Sequence, residues 1–330
     1  MSLVSRVLNN HPKASASPAT RDRILDAART LGYQPNVVAR GLRMARTWTL
    51  GLLLPNLSNP LYADIAGATE RRAEERGYGL IFGIHVEGEE EAIFARLLSQ
   101  SRVDGLLVAS GVLGDAFLRR FADAGHGPLV MVNRRVRGVR PAVIVDDAAG
   151  AALAVEHLSD LGHIKVAGIF GNAAIDTTRR RRAGFIDAAA RAGMHTVLVD
   201  AGGLDRAAGR VAAAEIFARH GGVTAIFAST FAIGMGVLLA AREAGVAVPA
   251  DLSVIALHDS DLADYFSPPL STVRLPVDEM AHRAVDLLLD LIDGAPPRSL
   301  VTQTPPSLTL RESTAPPRAV KRLTKTRRSA

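Results

Sequence analysis

The sequence predicts an α/β protein with two similar lobes, each a parallel sheet covered by helices, behind a small basic helical head. Three observations predict it. Short apolar runs of strand length alternate with amphipathic stretches through residues 50–132 and again through 148–256, the order that parallel sheets with helical crossovers require. Ahead of them, the first 50 residues carry the caps and periodicity of short helices. Between head and lobes lies the basic run Gly32-Tyr33-Gln34-Pro35-Asn36-Val37-Val38-Ala39-Arg40-Gly41-Leu42-Arg43. At 330 residues, 48% hydrophobic and 22% charged, the chain holds enough apolar material for two cores and an appended module.

The head comes first. Residues 3–10 form a short helical candidate with Val4, Val7 and Leu8 on one face and Ser5, Arg6 and Asn9 directed away. Ser17 then caps a second helix, Pro18 opens it, and Gly32 ends it, with Ile24, Ala27, Ala28 and Leu31 as its apolar stripe. Pro35 pushes the residue before it out of helical geometry, so 33–36 reads as a turn. Residues 37–43 have room for about two helical turns, too few for stability alone in water. In such a helix Arg40, Arg43 and Arg46 line one flank and Val38 and Leu42 another. A linker that is helical only when held is a switch element.

In the first lobe the pattern predicts strand 50–54, helix 61–76, strand 79–83, helix 89–101 and strands 105–109 and 129–132. In the second it predicts helix 148–161, strand 166–170, helix 182–192, strand 197–199, helix 207–219, strand 225–228, helix 234–244 and strand 253–256. Two Rossmann-like parallel-sheet units imply a cleft between them. Ligands of open parallel sheets sit beyond the carboxyl ends of the strands, so the loops after each strand are where a site is sought.

The net charge of +6 is unevenly placed. Residues 1–50 hold Arg6, Lys13, Arg21, Arg23, Arg29, Arg40, Arg43 and Arg46 against Asp22 and Asp26. The end of the chain holds Arg318, Lys321, Arg322, Lys325, Arg327 and Arg328 with no acid. The body between is therefore net acidic, and the head is the part built to meet phosphates. The tail, with prolines before it, reads as a disordered solvated end. No apolar run approaches the roughly 20 residues needed to span a bilayer, and no signal peptide is evident, so a cytoplasmic protein with no membrane partner is expected. With no cysteine, disulfides, thiol catalysis and thiolate metal sites are excluded.

The motifs Val4-Ser5-Arg6-Val7-Leu8-Asn9, Thr20-Arg21, Leu31-Gly32-Tyr33-Gln34-Pro35-Asn36, Ala39-Arg40-Gly41-Leu42, Thr49-Leu50-Gly51-Leu52-Leu53-Leu54-Pro55-Asn56 and Leu308-Thr309-Leu310-Arg311-Glu312-Ser313 follow in this order. Together they resemble the LacI/GalR family of transcriptional regulators over nearly all residues before the tail. The resemblance implies the end of a recognition helix at 4–9, a third helix and turn at 20–36, a hinge helix at about 36–43, and a body of periplasmic-binding-protein type I fold. It implies a head with hinge over 1–46, an effector-binding body over 47–313, and a tail over 314–330. Crossings between subdomains fall near Asp146, Leu275 and Gln303, giving an N-subdomain of about 47–146 and 276–302 and a C-subdomain of about 147–275 and 303–313. The first subdomain thereby regains a helix over 278–292. Family members have a complete first helix and turn where this chain has Met1-Ser2-Leu3. The corresponding expectation is an incomplete, all-α helix-turn-helix head that holds its operator weakly.

The resemblance also implies roles for particular residues. Ser5, Arg6, Asn9, Asn36, Ala39, Arg40, Leu42 and Arg43 form the expected DNA-contacting set. Arg6 reaches a base edge in the major groove, Arg40, Arg43 and other head cations hold phosphates, and Leu42 from each of two chains wedges a central base step of a pseudo-palindromic operator. The expected effector set is Leu61, Tyr62, Arg181, Thr230, Phe231, His258 and Asp259. Leu61 and Tyr62 follow the first strand, where an aromatic pair or its equivalent often meets the effector; Tyr62 reads equally well as core of the next helix. Arg181 falls on the family's ligand-binding arginine, whose planar fork suits a carboxylate or vicinal hydroxyls. Thr230 and Phe231 stand where Asn and Asp are typical, and His258 stands where a ligand-binding Asp is typical. Those departures, with four adjacent arginines at 179–182 opposing a helix dipole, point towards an acidic effector such as a sugar acid. His258 then either donates to that acid or is an ordinary hydrogen-bonded loop histidine.

Catalysis is not expected. Gly234-Met235-Gly236 lacks the third glycine of a dinucleotide fingerprint, no phosphate loop or nucleophile elbow appears, and His126, His157, His163 and His195 are scattered without metal spacing. No cofactor or metal is therefore expected. The alternative is a solute-binding protein of the same fold, which has no use for a basic head. The preferred reading is a homodimeric, ligand-responsive DNA-binding regulator whose effector changes the angle between subdomains and so the spacing of the hinges.

Overall fold

The structure is a computed structural model and describes residues 3–8, 15–31, 46–55, 59–84, 102–110, 114–125 and 127–318. The expected hinge helix and the expected helix at 89–101 lie outside the described residues. In the head, α1 (Leu3–Leu8) contacts α2 (Pro18–Thr30). Ser17 caps α2 as expected, its hydroxyl accepting from Thr20 N.

Among the described residues, the body contains two six-stranded sheets. The first lobe begins with β1 (Thr49–Leu54), α3 (Pro60–Glu75), β2 (Gly79–Ile84), β3 (Gly105–Val108), α4 (Asp115–Asp123), β4 (Leu129–Val132) and β5 (Ala142–Ile144). The second runs through α5 (Asp147–Asp160), β6 (Lys165–Phe170), α6 (Asp176–Arg191), β7 (His195–Asp200), α7 (Arg206–Arg219), β8 (Ala225–Ala228), α8 (Phe231–Glu243), β9 (Ser253–Leu257) and β10 (Ser271–Arg274). Then α9 (Val277–Ile292) and β11 (Leu300–Val301) return to the first lobe, and β12 (Ser307–Thr309) closes the second. The strand orders are β11-β5-β4-β3-β1-β2 and β12-β10-β9-β8-β6-β7. All pairings are parallel except β10 with β12. The central strands β3, β4, β8 and β9 are buried throughout, as strands covered on both faces must be.

Two helices start earlier than periodicity indicates. α6 begins at Asp176 rather than at 182, because Asp176 pairs with Arg179 and Arg180 and makes a charged first turn tolerable. α8 begins at Phe231 rather than at 234, since the Thr230 hydroxyl accepts from Ile233 N and caps it there. Tertiary contacts also create α4 and the short strands β5, β11 and β12, which local pattern did not announce.

Helices α5 and α6 approach closely at Gly184. A Cβ there would lie 2.2 Å from the Ala148 carbonyl oxygen and 2.7 Å from its Cα, so backbone would have to move. Behind the second sheet, the chain after β12 is strapped across the amino ends of β6, β8 and β9. His163 meets Thr224 through Nδ1 at 2.8 Å and the Ala315 carbonyl through Nε2 at 3.0 Å, Ala315 N donates to Ser253 Oγ, and His157 Nε2 meets Thr314 Oγ1 at 3.0 Å. Burial pushes both imidazoles below their ordinary value of 6.5, although the Ala315 carbonyl pulls His163 the other way.

Two expectations follow from this packing. Gly184→Ala should destabilise the chain by roughly 1–3 kcal/mol, the usual scale of overpacking, read as a lower urea midpoint with unchanged slope. Because the unfolded chain protonates these histidines first, native stability should fall as pH drops through about 6.5, above the carboxylate range. Urea midpoints measured at stepped pH should show that decline in the wild type and a shallower one in His163→Gln.

Candidate functional site

The carboxyl ends of the two sheets face each other, and the loops leaving them meet. From the first lobe come the opening turn of α3 after β1, Ser110 after β3, and Asn133 and Arg134 after β4. From the second come the start of α6, Ser229 to Phe231 after β8, and His258 after β9. Contacts between the described residues of the two lobes include the following. His258 Nε2 lies 2.9 Å from Asp64 Oδ2, Arg180 Nη2 donates to the Asn133 carbonyl at 3.0 Å, and Arg135 N donates to Asp176 at 2.9 Å.

At the crossover after β5, Asp147 has no exposed surface. Arg181 Nε donates to its Oδ1 at 2.7 Å, and Arg180 Nη1 lies 2.5 Å from its Oδ2. Arg180 also donates to the Val145 carbonyl, and Arg181 to the Ser229 carbonyl at 2.8 Å. Arg179, Arg180 and Arg181 are thus engaged by Asp147 and Asp176. Arg134, buried and ion-paired with Asp115, also donates to the Ser110 carbonyl; burial lowers its pKa, and the Asp115 charge opposes that shift.

Of the expected effector residues, Leu61 and Tyr62 are buried on the first turn of α3, packed in the core with Leu54 and Ile65. Arg181 is buried on Asp147. Thr230 caps α8 and donates to the Leu204 carbonyl at 3.2 Å. Phe231 is fully buried and meets the His258 ring edge-on at a centroid distance of 6.4 Å. The carboxylate of Asp259, the residue after His258, is taken up by other partners. Burial tends to raise its pKa, but donors from Thr272, Arg311 and Arg274 outweigh this and hold it below the ordinary value. Its carboxylate is engaged in joining β10 to the segment after β12.

Of the expected DNA set, Arg6 lies on α1, half-buried, and Ser5 is in the same helix. Asn9, Asn36, Ala39, Arg40, Leu42 and Arg43 lie outside the described residues. Arg46, grouped by spacing with the hinge cations, is instead fastened to the body. Its Nη2 is 2.5 Å from Asp293 Oδ1, and its guanidinium carbon is 6.0 Å from the centre of the Trp48 ring. The hydrogen bond to Asp293 raises its pKa despite the cost of burial. Asp104 beside it accepts from Thr47 N, Thr47 Oγ1 and Trp48 N.

Sequence reasoning passed over the small polar residues of the cleft. Ser110 Oγ, Asn133 Oδ1, Thr178 Oγ1, Ser229 Oγ and His258 Nδ1 are buried with no hydrogen-bond partner. Buried polar atoms are nearly always paired, so a cluster of exceptions at one cleft marks where a polar molecule fits. Apart from His258, which the sequence singles out, their only sequence signal is position, directly after a strand or at a helix start.

Comparison with known proteins agrees with this architecture. The model of the family described as bacterial regulatory proteins, lacI family, matches residues 1–36, and that of the periplasmic binding protein-like domain matches 155–314. The HTH-type transcriptional repressor PurR of Erwinia tasmaniensis is 33% identical over 94% of this chain and 92% of its own length. The regulator GalR of Escherichia coli is 32% identical over 95% and 92%. The chain belongs to the LacI family. Among solved structures, the Lac repressor dimer bound to operator and the anti-inducer ONPF is similar at 26% identity and a TM-score of 0.79, covering 95% of this chain and 94% of that one. The complex of the regulator CelR with cellobiose is similar at 28% identity and 0.74, covering 94% of each chain. These relatives are named as regulators rather than enzymes. Among the described residues of this LacI-family chain, no helix is long and apolar enough to cross a membrane.

Asp147 is the residue on which the cleft's charge depends. Asp147→Ala leaves the buried Arg181 guanidinium without its carboxylate, and the partly buried Arg180 with Asp176 alone, and should cost about 3 kcal/mol, seen as a large drop in urea midpoint. Asp146→Ala, one residue earlier, removes only a cap to Ala149 N and should cost about 1 kcal/mol.

Proposed function

We propose that this chain is an operator-binding transcriptional repressor that works as a homodimer and responds to a small molecule held between its lobes. The observation that carries the reading is the set of unpartnered polar atoms at the facing carboxyl ends of two sheets, in a chain whose family joins such a body to a DNA-binding head. On this reading residues 1–46 contact DNA, 47–313 sense the effector through two subdomains, and 314–330 form a tail. Ser5, Arg6, Asn9, Asn36, Ala39, Arg40, Leu42 and Arg43 meet the operator. Leu61, Tyr62, Arg181, Phe231 and His258 border the effector, while Thr230 holds α8 and Asp259 belongs to the scaffold.

The arginine run that points to an acidic effector is in part engaged by carboxylates of the fold itself. Arg179, Arg180 and Arg181 share the two carboxylates of Asp176 and Asp147, and Arg134 pairs with Asp115. Beside the ion-paired groups of Arg134 and Asp147, the unpartnered polar atoms of the cleft are neutral: three hydroxyls, an amide oxygen and an imidazole nitrogen. That inventory fits a neutral, hydroxyl-bearing effector. The CelR relative, whose structure holds cellobiose, is consistent with that class.

Selection from a random duplex library should enrich a pseudo-palindromic site, and fluorescence anisotropy then measures affinity for it. Leu42→Ala should weaken operator binding roughly tenfold or more, the scale of one lost buried leucine, and leave thermal shifts by sugars unchanged. Equal loss of both functions would overturn the division of labour. A thermal-shift screen against sugars, sugar acids, other carboxylates and nucleobases identifies the effector class.

A further inference from the structure

We propose that Asp64 and His258 form a dyad across the cleft that presents one hydrogen-bond acceptor, the bare Nδ1 of His258, to a hydroxyl of the effector. The inference rests on the effector reading above and adds the polarity of one contact. His258 follows β9 directly and adopts φ 76°, in the left-handed region that non-glycine residues seldom occupy. Its amide donates to the Val273 carbonyl at 2.9 Å, which holds the backbone in that turn. The side chain is 5% exposed, its ring braced edge-on against Phe231.

The two ring nitrogens have different surroundings. Nε2 lies 2.9 Å from Asp64 Oδ2, and Nδ1 is buried with no partner. An ionised carboxylate only accepts, so the proton between Asp64 and the ring resides on Nε2. In the singly protonated ring, Nδ1 then carries the lone pair. A desolvated acceptor of this kind is satisfied by a donor such as a hydroxyl and opposes a carboxylate, which brings lone pairs against a lone pair.

This reverses the role the sequence pointed to, in which His258 donates to an acid. It also accounts for the departure from the family's usual Asp at this position. The carboxylate is supplied from the opposite lobe, by Asp64 on α3, and acts through the ring. Asp259 next door does not substitute, since Thr272, Arg274 and Arg311 occupy it. Because the dyad spans both lobes, the oriented acceptor exists only while the lobes are together. A hydroxyl donor at Nδ1 therefore favours that state, linking recognition to closure.

The test uses the full chain labelled with 15N-histidine. Two-bond proton–nitrogen correlation spectra at neutral pH should show His258 protonated on Nε2 with Nδ1 bare. Asp64→Ala should mix the tautomers, and Asp64→Asn, whose amide oxygen still accepts, should restore the Nε2–H form. A wild-type ring protonated on Nδ1, or a tautomer unmoved by Asp64→Ala, overturns the dyad. Calorimetry with matched probes, glucose against glucuronate and ribose against ribonate, reads the polarity. A neutral member should bind more tightly than its acid and lose about tenfold affinity in Asp64→Ala, while tighter binding of the acids overturns the assignment. Should neither set bind while the tautomer is as stated, the dyad stands and the hydroxylated-effector reading falls.

Discussion

A carboxylate with no access to water holds the centre of this molecule. Asp147 opens α5 where the chain first passes from one sheet to the other, and two adjacent arginines of α6 converge on it. A buried charge is tolerable only when paired and hydrogen-bonded, so both guanidinium groups are obliged to lie there. Their remaining donors then do further work: Arg180 reaches carbonyls at Val145 and Asn133, and Arg181 reaches Ser229. One ion-pair cluster thus sets the start of α6, the crossover and the loop after β8.

The same cluster decides what the cleft can recognise. Taken alone, four arginines at a helix start describe an anion site. With Asp147 and Asp176 engaging three of them, they are tied into the fold beside a set of small unpartnered polar groups. His258 belongs to this set, because Asp64 on the facing lobe turns a residue of ambiguous polarity into an acceptor.

The two ends of the body are built differently from the cleft. Head and body join at the amino end of β1, where Asp104 and Asp293 hold residues 46–48. The strap of residues 313–315 lies across the amino ends of strands in the other sheet. Since the carboxyl ends face each other, these attachments sit on opposite sides of the cleft. Asp104 and Arg46 thus fasten the chain ahead of β1 to the first sheet.

Much of this was legible in the sequence because it is local. Apolar runs marked β1, β4, β6, β8 and β9, the Ser17-Pro18 pair marked the start of α2, and the ordered motifs of head, hinge and body marked the family. Short strands such as β5 and β11 were not legible, since two or three residues carry no periodicity and exist only by pairing with neighbours. Nor was the state of the arginines, for charge in a list of residues has no partner until folding brings Asp147 within 3 Å. Arg46 looked like a hinge cation by spacing and proved to be an anchor by contact. By itself, then, the sequence determined the family, the two-lobed α/β architecture and the place of the cleft, all consequences of patterns along the chain. Only the tertiary structure decided which charges cancel, which polar atoms stay unpaired and which way His258 faces, because those depend on distances between residues far apart in the chain.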